Sequence, residues 1–133
     1  MCALYEVHGA AGAASGRFRD LVDLLLISMF LPIDLTSTVD AVERERRVRA
    51  LPALPATLVS PGPAWATQWA KAARNSPLTA DLHDLESALA AAGRCYNRIL
   101  GSLPTARQPA VWSHERSAWE TTGRRVARLA DLE

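Results

Sequence analysis

Leu78, Leu82, Leu85, Leu89, Ala92, Tyr96, Ile99 and Leu103 recur at alternating intervals of four and three residues. An average spacing of 3.5, held over nearly four heptads, aligns these side chains along one side of a helix. A side that apolar has to be hidden from water, either by other helices of the same chain or by a partner. One seam alone does not offset the conformational entropy lost in ordering its own backbone. The pattern therefore predicts further helices packed on it. Ser76 as cap and Pro77 in the first helical position open this helix, and Gly101 and Pro104 close it. Gly93 weakens it by about 1 kcal/mol relative to alanine.

The flanking sequence supplies those helices. Residues 1–16, rich in Gly and Ala, read as a flexible arm. Arg17 to Leu31 reads as a helix that is apolar nearly all round, hence buried or facing a partner, and Pro32 stops it. Asp34 or Ser37 caps a second helix reaching about Arg49, and Ser37 to Asp40 has a capping-box outline. Glu43 and Arg47, and Glu45 and Arg49, stand at i,i+4 in the favourable order. Four prolines and a glycine between Ala50 and Pro63 exclude a continuous helix. Residues 51–63 are thus expected to form a linker between an N-terminal helical segment, 17–50, and a C-terminal bundle, 64–133. Trp65 and Trp69 share one face of a third helix opened by Pro63.

After the seam helix and a loop from Gly101 to Pro109, a fifth helix is expected from about Ala110 to Leu132. Trp112, Trp119, Val126 and Leu129 form its stripe, and Arg124, Arg125 and Arg128 suit its C-terminal dipole. Two amphipathic helices joined by a short loop predict an antiparallel helical hairpin. The expected fold is all-α, with four to five helices and that hairpin at the C-terminal end. No strand pair is expected.

Composition removes several function classes. The 133 residues are 49% apolar and 22% charged with a formal charge of +1, which fits a globular chain and gives no global field for nucleic acid or membrane. The apolar run from Leu21 to Ile33 is interrupted by Asp23 and is too short to span a bilayer. Cys2 and Cys95 make no disulfide framework, so free thiols and a cytoplasmic location are expected.

Reactive constellations are missing as well. His83 and Glu86 form one i,i+3 pair, and one pair does not hold zinc. Cys95 lies twelve residues from His83, about 18 Å along a helix, too far for a nucleophile and its base. Asp81 and Asp84 suit a helix N-terminus. No catalytic residue, metal site or cofactor is assigned, and the chain is read as a non-enzyme.

Two binding surfaces remain. Arg44, Arg46, Arg47 and Arg49 form the densest basic cluster and could contact DNA phosphates, although Glu43 and Glu45 neutralise half of it. Trp65, Trp69, Leu82, Leu85 and Leu89 could meet a helical partner or a second copy of the chain.

One stretch carries a family likeness. Phe30-Leu-Pro-Ile-Asp-Leu35, then Val39 and Val42, then Glu45-Arg-Arg-Val-Arg-Ala-Leu-Pro-Ala53, resembles the N-terminal region of DDE-type insertion-sequence transposases. The likeness covers about residues 30–59. It departs from the family at Ser60-Pro-Gly-Pro63, which breaks the hydrophobic helix expected there. The resemblance implies a truncated or re-fused fragment with a DNA-contacting helix. It implies no strand transfer, because the catalytic carboxylates of that family belong to a later domain.

Overall fold

A computed structural model describes residues 1, 7–8, 13–14, 18–51 and 53–122. The expected arm at 1–16 lies mostly outside them, as do Cys2 and the arginines at 124, 125 and 128. In chain order the elements are β1 (Val7–His8), β2 (Ala13–Ala14), α1 (Phe18–Phe30), β3 (Ile33–Asp34) and α2 (Leu35–Val48). Then follow α3 (Trp65–Arg74), a 3-10 turn at Ala80–Leu82, α4 (Leu85–Gly101), β4 (Ala110–Ser113) and β5 (Ala118–Thr121). β1 and β2 pair antiparallel.

The phrase Asp-Leu-x-Ser occurs twice and starts a helix both times. The Asp34 carboxylate accepts from the Ser37 N–H at 2.8 Å and from its hydroxyl at 2.7 Å. Asp84 accepts from the same two groups of Ser87 at 3.0 and 3.1 Å. Each aspartate satisfies an N–H that no helical carbonyl can reach. Leu35 and Leu85, next in sequence, turn inward and are buried.

The Asp84 cap divides the expected seam helix. Leu78 precedes the 3-10 turn, Leu82 ends it, and α4 begins only at Leu85. The seam is still hidden, with Leu78, Leu82, Leu85, Ala92, Tyr96 and Ile99 all buried. Within α4 the buried positions, Leu85, Ala88, Ala92, Gly93, Cys95, Tyr96, Ile99 and Leu100, follow the 3.6-residue period of a globular core helix. Leu89, at the seam's edge, is half-buried.

α1, α2, α3 and the 3-10 turn all pack on α4. Two hydrogen bonds and one ring contact tie these elements together. The Trp69 indole donates to the Leu82 carbonyl at 3.0 Å, and the Tyr96 hydroxyl donates to the Leu24 carbonyl in α1. Phe18 packs against Trp65 with ring centroids 4.4 Å apart. The proline-rich stretch lies against α4: Leu58 is buried, and its N–H donates to Asn97 Oδ1 at 2.6 Å. One core cluster takes residues from both sides of that stretch.

The fold is mixed rather than all-α, and the fifth helix and the antiparallel helical hairpin are corrected. Residues 110–121 form a β-hairpin, and β3 adds to it in the order β3-β4-β5, all antiparallel. The part of the expected helix beyond residue 122 lies outside the described residues. A gap of seven between Trp112 and Trp119 suits a helix, but it also suits a hairpin with four loop residues. Trp112 then stands directly opposite Trp119. Their rings meet edge-on at 5.7 Å, the arrangement favoured by aromatic quadrupoles. Ser117, in the left-handed region at φ 50°, closes the turn. Ala110 and Trp112 face inward, while Val111 and Ser113 are half-buried. The Trp112 indole donates to the Ser28 carbonyl, in the last turn of α1, at 2.7 Å, and the Trp119 indole donates to Cys95 O at 2.8 Å.

Candidate functional site

α2 carries the arginine cluster, and its local sequence decides which arginines are available. Leu35, Val39 and Val42 bury one face. Glu43, the next residue after Val42, is carried inward with them and is only 6% exposed. A buried carboxylate needs partners, and Arg46 supplies a fork: Nε reaches one carboxylate oxygen at 3.0 Å and an Nη the other at 2.6 Å. Arg47 adds a longer contact at 3.3 Å. Hydrogen bonding to Arg46 holds the Glu43 carboxyl below its ordinary pKa. In the same way, hydrogen bonds from Ser37 lower that of Asp34.

Arg46 also donates to the Leu51 carbonyl at 2.8 Å. There the chain leaves α2 through a Schellman turn. Leu51 N–H donates to Arg46 O and Ala50 N–H to Arg47 O, both at 3.0 Å, with Ala50 left-handed at φ 53°. Arg46 is thus a structural clamp. Arg49 pairs with Glu45 at 2.9 Å. Arg44, Arg47 and Arg49 are all exposed, but the Arg49 side chain, held by Glu45, is 31% exposed against 70% for Arg47.

The expected partner surface is occupied by the chain itself. Trp65, Trp69, Leu82 and Leu85 are buried in the core, and Leu89 is half-buried. Large apolar side chains that do face solvent include Phe30 and Leu31 where α1 ends, Val48 on α2, and Val59. The 3.5 spacing could not distinguish a self-covered seam from one awaiting a partner.

Candidate chemical groups are likewise absorbed. His83 Nε2 lies 3.0 Å from the Leu78 carbonyl. Cys95 is a buried free thiol, and burial pushes its pKa up to about 12. A thiol so placed is protonated and unreactive at neutral pH. No group of three or more His, Cys, Asp or Glu among the described residues could hold a metal ion. No helix among them is long and apolar enough to cross a membrane.

The sequence reading missed a cleft of about 660 Å³ beside the C-terminal turn of α4. Arg98 and Arg107 line it, with Leu35, Leu103, Pro104 and neighbouring loop residues. Arg98 belongs to α4 and Arg107 to the loop that follows, so no spacing rule joins them. A second cleft of about 500 Å³ shares Gly101, Leu103 and Pro104 with the first and adds Glu43, Arg46 and Arg47. No known protein family, curated protein or solved structure matches the chain.

Proposed function

We propose that this protein is a non-catalytic, DNA-associated module that contacts backbone phosphates through the outer face of α2. The observation that supports the reading is the placement of Arg44 and Arg47 one helical turn apart on that face, Arg47 keeping only its longer contact to Glu43, while Arg46 is held in the fork to Glu43 and Arg49 is paired to Glu45. The site is narrower than the cluster of four: two exposed guanidinium groups reach phosphates, and two hold the helix. The resemblance of residues 30–59 to a transposase N-terminal region is consistent with such a role.

Phosphate contacts release condensed counterions, so each contributes a salt slope of about −0.9 in log K against log salt on duplex DNA. Two contacts give a slope near −1.8, which is about a tenfold loss of affinity between 50 and 200 mM salt. The test is an anisotropy titration of a labelled duplex at several salt concentrations with the full chain and its Arg44→Ala/Arg47→Ala variant. The variant is expected to lose most of that slope. A flat salt response, or a variant that binds like the parent, refutes the proposal.

A further inference from the structure

We propose that the cleft beside the end of α4 binds a phosphomonoester carried on a ligand of mononucleotide size. Three features of the cleft converge on this ligand. The first is charge: Arg98 and Arg107 are the charged residues of its lining, and no carboxylate joins them. The neighbouring cleft, by contrast, includes Glu43.

The second is the state of the helix end. The C-terminus of a helix normally repels anions through its free carbonyls. Here three carbonyls of the last turn are engaged. Arg98 O accepts from the Ser102 hydroxyl at 2.6 Å, Ile99 O from Ser102 N–H at 3.1 Å, and Leu100 O from Leu103 N–H at 3.4 Å. With these three oxygens occupied, the two arginines carry the full charges of the lining.

The third is size and lining. A volume near 660 Å³ falls within the range of small-molecule sites and far exceeds one phosphate ion. Leu35, Leu103 and Pro104 give an apolar wall for an organic body, and Thr105 and Gln108 add neutral polar groups. A guanidinium fork matches phosphate oxygens bidentately, and a phosphomonoester carries a charge of about −1.5 to −2 at neutral pH, close to the charge of two arginines.

The test is calorimetric titration of the full chain at low salt with AMP, adenosine and inorganic phosphate as probes. AMP is expected to bind, with adenosine and inorganic phosphate each weaker by about tenfold or more. Arg98→Ala/Arg107→Ala is expected to weaken AMP by about tenfold or more, and Arg98→Lys/Arg107→Lys by less, because charge survives and the fork does not. Both arginines are exposed, and circular dichroism checks that the variants remain folded. Arg44→Ala/Arg47→Ala is expected to leave AMP binding unchanged, so failure here is distinct from failure on duplex DNA. Competition by a 5′-phosphorylated but not a 5′-hydroxyl oligonucleotide identifies a strand end as the source of the phosphate. Absence of competition identifies the free nucleotide. Adenosine or inorganic phosphate binding as tightly as AMP, an arginine-to-alanine variant that binds normally, or no AMP binding at millimolar concentration overturns the proposal.

Discussion

Replacing Gly93 by alanine sets two effects of similar size against each other. Alanine in a helix interior is favoured over glycine by about 1 kcal/mol, and Gly93 lies within α4. However, a Cβ at this position would stand 2.7 Å from Asn97 Nδ2 and 3.3 Å from its Cγ. The Asn97 amide must then move, and its oxygen is what accepts the Leu58 N–H at 2.6 Å. Losing that bond costs about 1–3 kcal/mol if the N–H is left without a partner beside buried Leu58. The losses outweigh the gain, and Gly93→Ala is expected to be about 1 kcal/mol less stable than the parent, roughly 4 °C in Tm.

The reasoning is isolated by a double-mutant cycle. In an Asn97→Ala background the obstacle and the bond are both gone. There Gly93→Ala should stabilise by about 1 kcal/mol, giving a coupling of about 2 kcal/mol. Urea unfolding followed by circular dichroism measures all four variants. If Gly93→Ala alone raises stability by the full helix-propensity gain, the amide does not tie the proline-rich stretch to α4 and the argument is wrong.

Two further outcomes are expected. Trp112→Phe removes the donor to the Ser28 carbonyl and should cost about 2 kcal/mol in urea unfolding, whereas Trp119→Phe, at a half-buried ring, should cost less. Ala50→Gly should raise stability by about 0.5–1 kcal/mol, read as a higher urea midpoint, because the left-handed strain relieved at φ 53° exceeds the added freedom of the unfolded chain.

What the sequence disclosed depended on how local the deciding interaction was. α1, α2 and α3 emerge within a residue or two of expectation, because Pro32, Asp34 and the tryptophan spacing act over one helical turn. The start of α4 departs from expectation because Ser76-Pro77 has the outline of a helix opening, whereas the chain caps the helix with Asp84, inside the leucine seam. The hairpin was missed because a gap of seven satisfies a helix stripe and a cross-strand pair alike. The choice falls to long-range partners, the carbonyls of Ser28 and Cys95, which no local window contains. The arginine cluster was visible as composition. Its division into clamp and exposed pair follows from the burial of Glu43, a consequence of packing. The Arg98–Arg107 cleft had no sequence signal, since its two charged residues meet through a loop.

Asp34 belongs to two structures at once: it pairs with Val111 in the sheet and caps α2 with its side chain. The direction in which α2 leaves α1 is therefore set by a strand near the other end of the chain. Joining such distant residues pays a loop-closure entropy that local helices avoid. In chain order α1 and α2 come well before β4 and β5, which lock the joint between them. The outer face of α2 thus takes its bearing from two places at once, the packing of the helix on α4 and the pairing of its capping residue with β4.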